Sequence, residues 1–270
     1  MPGSVSAAEV RRRWRQGEEV ALFDVREEGP YSEAHPFFAV SLPLSRLELR
    51  LFELVPRAGA PIVVYDDGEG LAERAASRIE DLGYTNVAIL TGGLRAYAAE
   101  GELFRDVNVP GKAFGELVES ICHTPSLPAA EVKRLLDDRA DVAVLDARRF
   151  EEYRTMSIPT GVSVPGAELT LRVFDAVPSP DTLVVVNCAG RTRSIIGTQT
   201  LVNAGLPNRI AALRNGTIGW TLAGQALDTG QTRRFEETSA WSRARARTAA
   251  ARWATRVGVR AIDRATLQDW

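Results

Sequence analysis

The chain has 270 residues, enough for about two domains of ordinary size. Its 33 Lys and Arg against 35 Asp and Glu leave a net charge of -2, which gives no overall attraction to nucleic acid or to anionic lipid. No apolar run reaches the roughly 20 residues of a membrane helix, and the opening "MPGSVSAAEVRRRW" lacks the apolar centre of a secretion signal.

Two cysteines, Cys122 and Cys188, exclude a disulfide framework and suit a reducing compartment, so a cytoplasmic location is expected. The two histidines, His35 and His123, stand in unrelated contexts, and neither a metal site nor a cofactor is expected.

In chain order, "AAEVRRRW" from Ala7 reads as a helix, followed by buried strands in "ALFDV", "PIVVYD" and "NVAIL". The amphipathic stretch "GLAERAASRIEDLG" lies between the last two and ends at Gly83, where a helix C-cap is expected. The same order then returns with "AAEVKRLL", "VAVLDA", "LVVVNC", the helical "RSIIGTQTLVNAG" ending at Gly205, and "RIAALR". Asp24 precedes Asp146 by 122 residues, and this offset also aligns Tyr31 with Tyr153 and Asp66 with Cys188. After one inserted residue, "TGGLRAYAAEG" aligns with "RNGTIGWTLAG".

The expected fold is α/β, with two tandem domains at about 1–115 and 120–235. Each is a mostly parallel sheet with helices on both faces. The proline-closed "CHTPSLP" reads as the linker between them. Residues 236–270 read as an alanine-rich, arginine-faced helical linker. Its final "ATLQDW" resembles the opening helix of each repeat, so a further unit of a longer protein is expected to begin there.

Cys188 ends a strand and precedes a helix, and sites in such sheets form at strand C-terminal ends. Around it, "CAGRTRS" supplies Gly190, two cations (Arg191, Arg193) and two hydroxyls (Thr192, Ser194). A helix beginning near Ser194 directs its free amides and positive dipole end at the loop. These features favour the nucleophilic thiolate and make the loop a cradle for an anion. Cys122 has no such neighbours and reads as an ordinary buried thiol.

"CAGRTRS" resembles the active-site loop of the rhodanese sulfurtransferases, C-x-x-G-x-R-[ST]. "LDARRFEEYRTMSIPTGVSVP" resembles that family's first conserved region, and "LRNGTIGWTLAG" its closing segment. The resemblance covers both repeats and implies a mechanism. Cys188 attacks the outer sulfur of a small anionic donor such as thiosulfate, becomes a persulfide, and passes the sulfur to cyanide, a thiol or a protein acceptor. The amides from Ala189 through Gly190, Arg191, Thr192 and Arg193 to Ser194 then hold the persulfide anion. Arg193 braces the loop or meets the donor, Arg191 is the solvent-facing anion contact, and Arg148 is either a further donor contact or the partner of Glu151 or Glu152.

The spacing from Cys188 to Arg193 is C-x4-R, whereas related phosphatases and arsenate reductases use C-x5-R; the shorter loop favours sulfur. The alternative within the family is a non-catalytic persulfide carrier or redox-sensing interaction module. Some positions depart from the family pattern. Ser157 replaces a histidine, at a position read as structural, and Ala189 replaces the arginine that follows the cysteine in many thiosulfate enzymes.

In the first repeat Asp66 stands where the cysteine does, and Glu69 and Leu71 stand where Arg191 and Arg193 do. Three acids within "DDGEG" repel an anionic donor. The expected reading is a solvated, degenerate loop, favoured over a cation site, in a domain serving as scaffold, pocket wall or partner surface.

Overall fold

The computed structural model describes residues 2–177, 179–234 and 237–269. Residue 235, the expected end of the second domain, and Trp270, which completes "ATLQDW", lie outside the described residues. The chain divides into two compact units, Met1–Pro110 and Gly111–Trp270.

In the first unit, five parallel strands lie in the order Gly3–Val5, Val87–Leu90, Ile62–Tyr65, Ala21–Asp24, Val40–Ser41. In the second the order is Ser126–Leu127, Ile210–Leu213, Leu183–Asn187, Val142–Asp146, Val162–Ser163, again all parallel. The two sheets have the same topology. The short edge strands are additions to the elements read from sequence; each has two or three residues, too few for a periodic signal.

Both faces of each sheet are covered, which is why its central strands read as continuous apolar runs. Successive side chains alternate between two cores. In the first unit Phe23, Ile62 and Val64 enter one cluster, while Leu22, Val63 and Tyr65 enter the other. In the second, Leu145, Val184 and Val186 face Leu169, Val173 and Leu201, while Val144 and Val185 face Val132 and Trp220.

The helix Thr192–Ala204 closes on Gly205 in the left-handed region (φ 73°), as expected for a C-cap. The helix Ala240–Arg256 is not a free linker. It packs on the helices Leu169–Ala176 and Thr192–Ala204 through buried Ser242, Ala246 and Ala249, one face at helical spacing. Ser239 bonds both oxygens of Asp175, and Arg252 Nη2 donates to the Ala204 carbonyl at 2.6 Å, satisfying an open carbonyl at the end of the helix Thr192–Ala204. The helix Val109–Cys122 runs through the end of the expected first domain and into the expected linker. Among the described residues, no helix is long and apolar enough to cross a membrane.

Candidate active site

In the second unit, the two central strands end side by side, with Asn187 in register with Asp146. Asp146 is buried, and its two oxygens hold four donors. Oδ1 accepts from Arg148 N at 3.0 Å and Arg148 Nε at 2.9 Å; Oδ2 accepts from Arg148 Nη2 at 2.8 Å and Asn187 Nδ2 at 2.9 Å. The residue before Cys188 is thereby tied to the neighbouring strand end.

Arg148 is 3% exposed, and its Nη2 also donates to the Met156 carbonyl. Arg148 pairs with Asp146 rather than with Glu151 or Glu152, which corrects the expected pairing. A buried carboxylate requires a hydrogen-bonded counter-charge, and Arg148 supplies it. The first unit repeats the arrangement with Asp24 and Arg26, whose Nη2 reaches the Ala34 carbonyl.

Cys188 is 2% exposed. Its Sγ lies 3.4 Å from Ser194 Oγ, and the Ser194 hydroxyl donates to the Arg191 carbonyl at 2.8 Å. The loop carbonyls are anchored from below by the start of the helix Gly216–Leu222. Thr217 N donates to Cys188 O at 2.9 Å, Ile218 N to Ala189 O at 3.0 Å, and Thr217 Oγ1 to the same Ala189 oxygen at 3.2 Å. In a trans peptide the N–H points opposite the preceding C=O, so the amides of Ala189 and Gly190 face away from that helix. Beyond Arg191, the amides of Thr192, Arg193 and Ser194 open the helix Thr192–Ala204. Among the described residues, none of the amides of 189–194 has an acceptor. The loop is an open run of donors around a buried sulfur.

The family pattern places glycine three residues after cysteine, whereas here that position is Arg191 and the glycine falls one residue earlier. Arg191 has φ -121° and ψ -49°, a backbone that needs no glycine. Gly190 likewise has no left-handed φ, and a Cβ on it meets open space. Thr192 packs against Gly115 of the helix Val109–Cys122, where a Cβ would stand 3.0 Å from Thr192 Cγ2.

Both loop arginines are paired. Arg193 forks onto Glu152, at 2.7 and 2.8 Å. That hydrogen bond holds the Glu152 carboxyl below its ordinary value and raises the Arg193 guanidinium, while partial burial opposes both shifts. Arg193 thus ties the start of the helix Thr192–Ala204 to Glu152. Arg191 Nη2 donates to Glu116 Oε2 at 3.0 Å and to Glu119. Sequence reading missed Glu116 and Glu119, because only tertiary packing brings that helix to the loop. It offered Glu152, beside Glu151, only as a possible partner of Arg148, whereas Glu152 bonds Arg193.

Ser157, read as structural, is buried and exchanges backbone hydrogen bonds with Asp228 at 2.8 and 2.9 Å. Its counterpart His35 stacks on Tyr31 with ring centroids 4.0 Å apart.

The loop of the first unit is built alike but filled from within. Leu94 N donates to Asp66 O at 2.9 Å, as Thr217 N does to Cys188 O. The Asp66 carboxylate then accepts three loop amides: Gly68 N at 3.0 Å, Leu71 N at 2.6 Å and Ala72 N at 3.1 Å. Asp66 is 7% exposed, so its own carboxylate is not solvated, while Gly68, Glu69 and Gly70 of the same loop are exposed as expected. The aspartate occupies the cradle with its own anion, satisfying amides that the cysteine loop leaves open.

A family model described as Rhodanese-like domain matches residues 6–100 and again 128–223. A crystal structure of thiosulfate sulfurtransferase from Pseudomonas aeruginosa is 61% identical with a TM-score of 0.97; the match covers 99% of this chain and 51% of that one. The Centrosomal protein of 41 kDa is 33% identical over 84 residues in both Rattus norvegicus and Homo sapiens. These matches cover 28% of this chain and 25% and 22% of the relatives. The chain therefore spans about half the length of the Pseudomonas chain and about a quarter of the centrosomal proteins. With the model matched twice, in order and over most of its length, the chain belongs to the rhodanese-like domain family.

Proposed function

We propose that the second unit is a sulfurtransferase that carries sulfane sulfur as a persulfide on Cys188. The observation that supports this most is the run of six unsatisfied amides, 189–194, around a buried cysteine sulfur. The likeness to the Pseudomonas thiosulfate sulfurtransferase supports thiosulfate, or a similar small anion, as the donor.

The Cys188 thiol gives its proton to solvent, and the thiolate attacks the outer sulfur of thiosulfate. A bond forms between Sγ and that sulfur. The donor's sulfur–sulfur bond breaks, and its electron pair leaves with sulfite. The new terminal sulfur carries the negative charge, and the loop amides bind it as an oxyanion hole binds oxygen. The Ser194 hydroxyl, free to rotate from the Arg191 carbonyl toward the sulfur, adds a donor. An acceptor (cyanide, a thiol or a protein thiolate) then attacks the terminal sulfur, and the electron pair of the broken bond returns to Cys188.

The amides must carry most of this stabilisation, because both loop guanidiniums are already engaged by carboxylates. Turnover of thiosulfate and cyanide to thiocyanate tests the reading. The wild-type protein should show ping-pong kinetics and Cys188→Ser none; equal turnover in both would overturn the assignment.

A further inference from the structure

We propose that Glu116 and Glu119 set the affinity of the Cys188 loop for anionic sulfur donors by competing with the donor for Arg191. The inference rests on the sulfurtransferase reading and deepens it.

Arg191 stands where the family pattern has glycine, so its side chain is an addition to the loop. It lies at the loop's mouth with 44% of its side chain exposed, and one nitrogen, Nη2, serves both carboxylates. The helix that carries those carboxylates packs closely on the loop. Gly115 lets the helix Val109–Cys122 approach until a Cβ there would stand 3.1 Å from Thr192 Cα. Glu116 and Glu119 follow at the next position and one turn on, beside Arg191. Glu119 is the more enclosed, with 29% side-chain exposure against 55% for Glu116.

Three carboxylates (Glu116, Glu119, Glu152) therefore face two guanidiniums at the mouth. A dianionic donor that reaches Arg191 meets the negative charge of two glutamates already bonded to it. The sequence alone suggests a cationic mouth; the packed helix removes that attraction and reserves Arg191 as a contact exchanged between carboxylate and sulfonate.

The test is steady-state kinetics of Glu116→Gln/Glu119→Gln in the full chain, with thiosulfate as donor and a neutral thiol as acceptor. Glutamine keeps the size and helix propensity of glutamate. An exposed ion pair is worth up to about 1 kcal/mol, or roughly five-fold. The expected result is a rise of about three- to ten-fold in kcat/KM for thiosulfate, with kcat/KM for the thiol unchanged.

Arg191→Gln should lower kcat/KM for thiosulfate, and adding the two glutamine substitutions to it should give no gain. An unchanged or reduced kcat/KM in the glutamine variant, or the same gain without Arg191, overturns the proposal. Wild-type protein that forms no persulfide instead overturns the sulfurtransferase reading itself.

Discussion

Gly216 stands so close to Cys188 that a Cβ on it would lie 2.2 Å from the Cys188 carbonyl oxygen. It also holds φ at 55°, in the left-handed region. The first unit repeats the contact: a Cβ on Gly93 would lie 2.4 Å from the Asp66 carbonyl oxygen. This close approach lets the following helix seize the loop carbonyls and turn the loop amides outward. Gly216→Ala should therefore cost about 2–3 kcal/mol of stability and reduce thiocyanate formation at least about ten-fold, because loop geometry is lost. Denaturant titration alongside turnover measures both. A stable, fully active variant would show that the loop does not depend on this contact.

Asp66 accepts three amides inside its own loop. Asp66→Ala leaves those donors without the carboxylate and should destabilise the chain by about 1.5–3 kcal/mol, the usual worth of hydrogen bonds to a charged group. Turnover at Cys188 should stay within about two-fold at temperatures where the variant is folded. A loss of activity without a loss of stability would mean that the first unit takes part in the chemistry.

Arg148 and Asp146 form a buried ion pair. Arg148→Ala strands the Asp146 carboxylate and should cost about 3–5 kcal/mol. Thermal or denaturant unfolding checks this. A variant of normal stability with a raised KM for thiosulfate would return Arg148 to the role of donor contact.

Glu152 is held below its ordinary value of 4.5 by its hydrogen bond to Arg193. A carboxyl depressed on folding contributes stability above its unfolded value, and that contribution is lost as pH falls through the folded value. The pair is more than one-third exposed, so its worth is about 0.2–1 kcal/mol. Wild type should therefore be slightly more stable than Glu152→Gln at pH 7, with the difference shrinking below about pH 4. High salt should narrow the gap as well. A difference that grows toward acid would contradict the assigned pairing.

Much of the fold was legible because the chain carries its own control. Two copies of one pattern at a fixed offset identified the strands, the helix closed by Gly205 and the cysteine loop, since each is built from local periodicity and turn chemistry. The ion pairs were not legible. Glu152 lies three residues from Arg149 and four from Arg148, yet it bonds Arg193, 41 residues away, because folding sets the two strand ends side by side. Glu116 and Glu119 sit some 70 residues before Arg191, and only the packing of Gly115 on Thr192 joins them. The aspartate at position 66 read as decay of a site. The structure makes it a replacement, a carboxylate seated where the second unit leaves room for a charged sulfur.

That room is the central claim, and intact-protein mass spectrometry after incubation with thiosulfate tests it most directly. Wild-type protein should gain the mass of one sulfur atom, mapped to Cys188 by peptide analysis and removed by cyanide, and Cys188→Ser should gain none. A wild-type protein that gains no sulfur, or gains it on Cys122 alone, would contradict it.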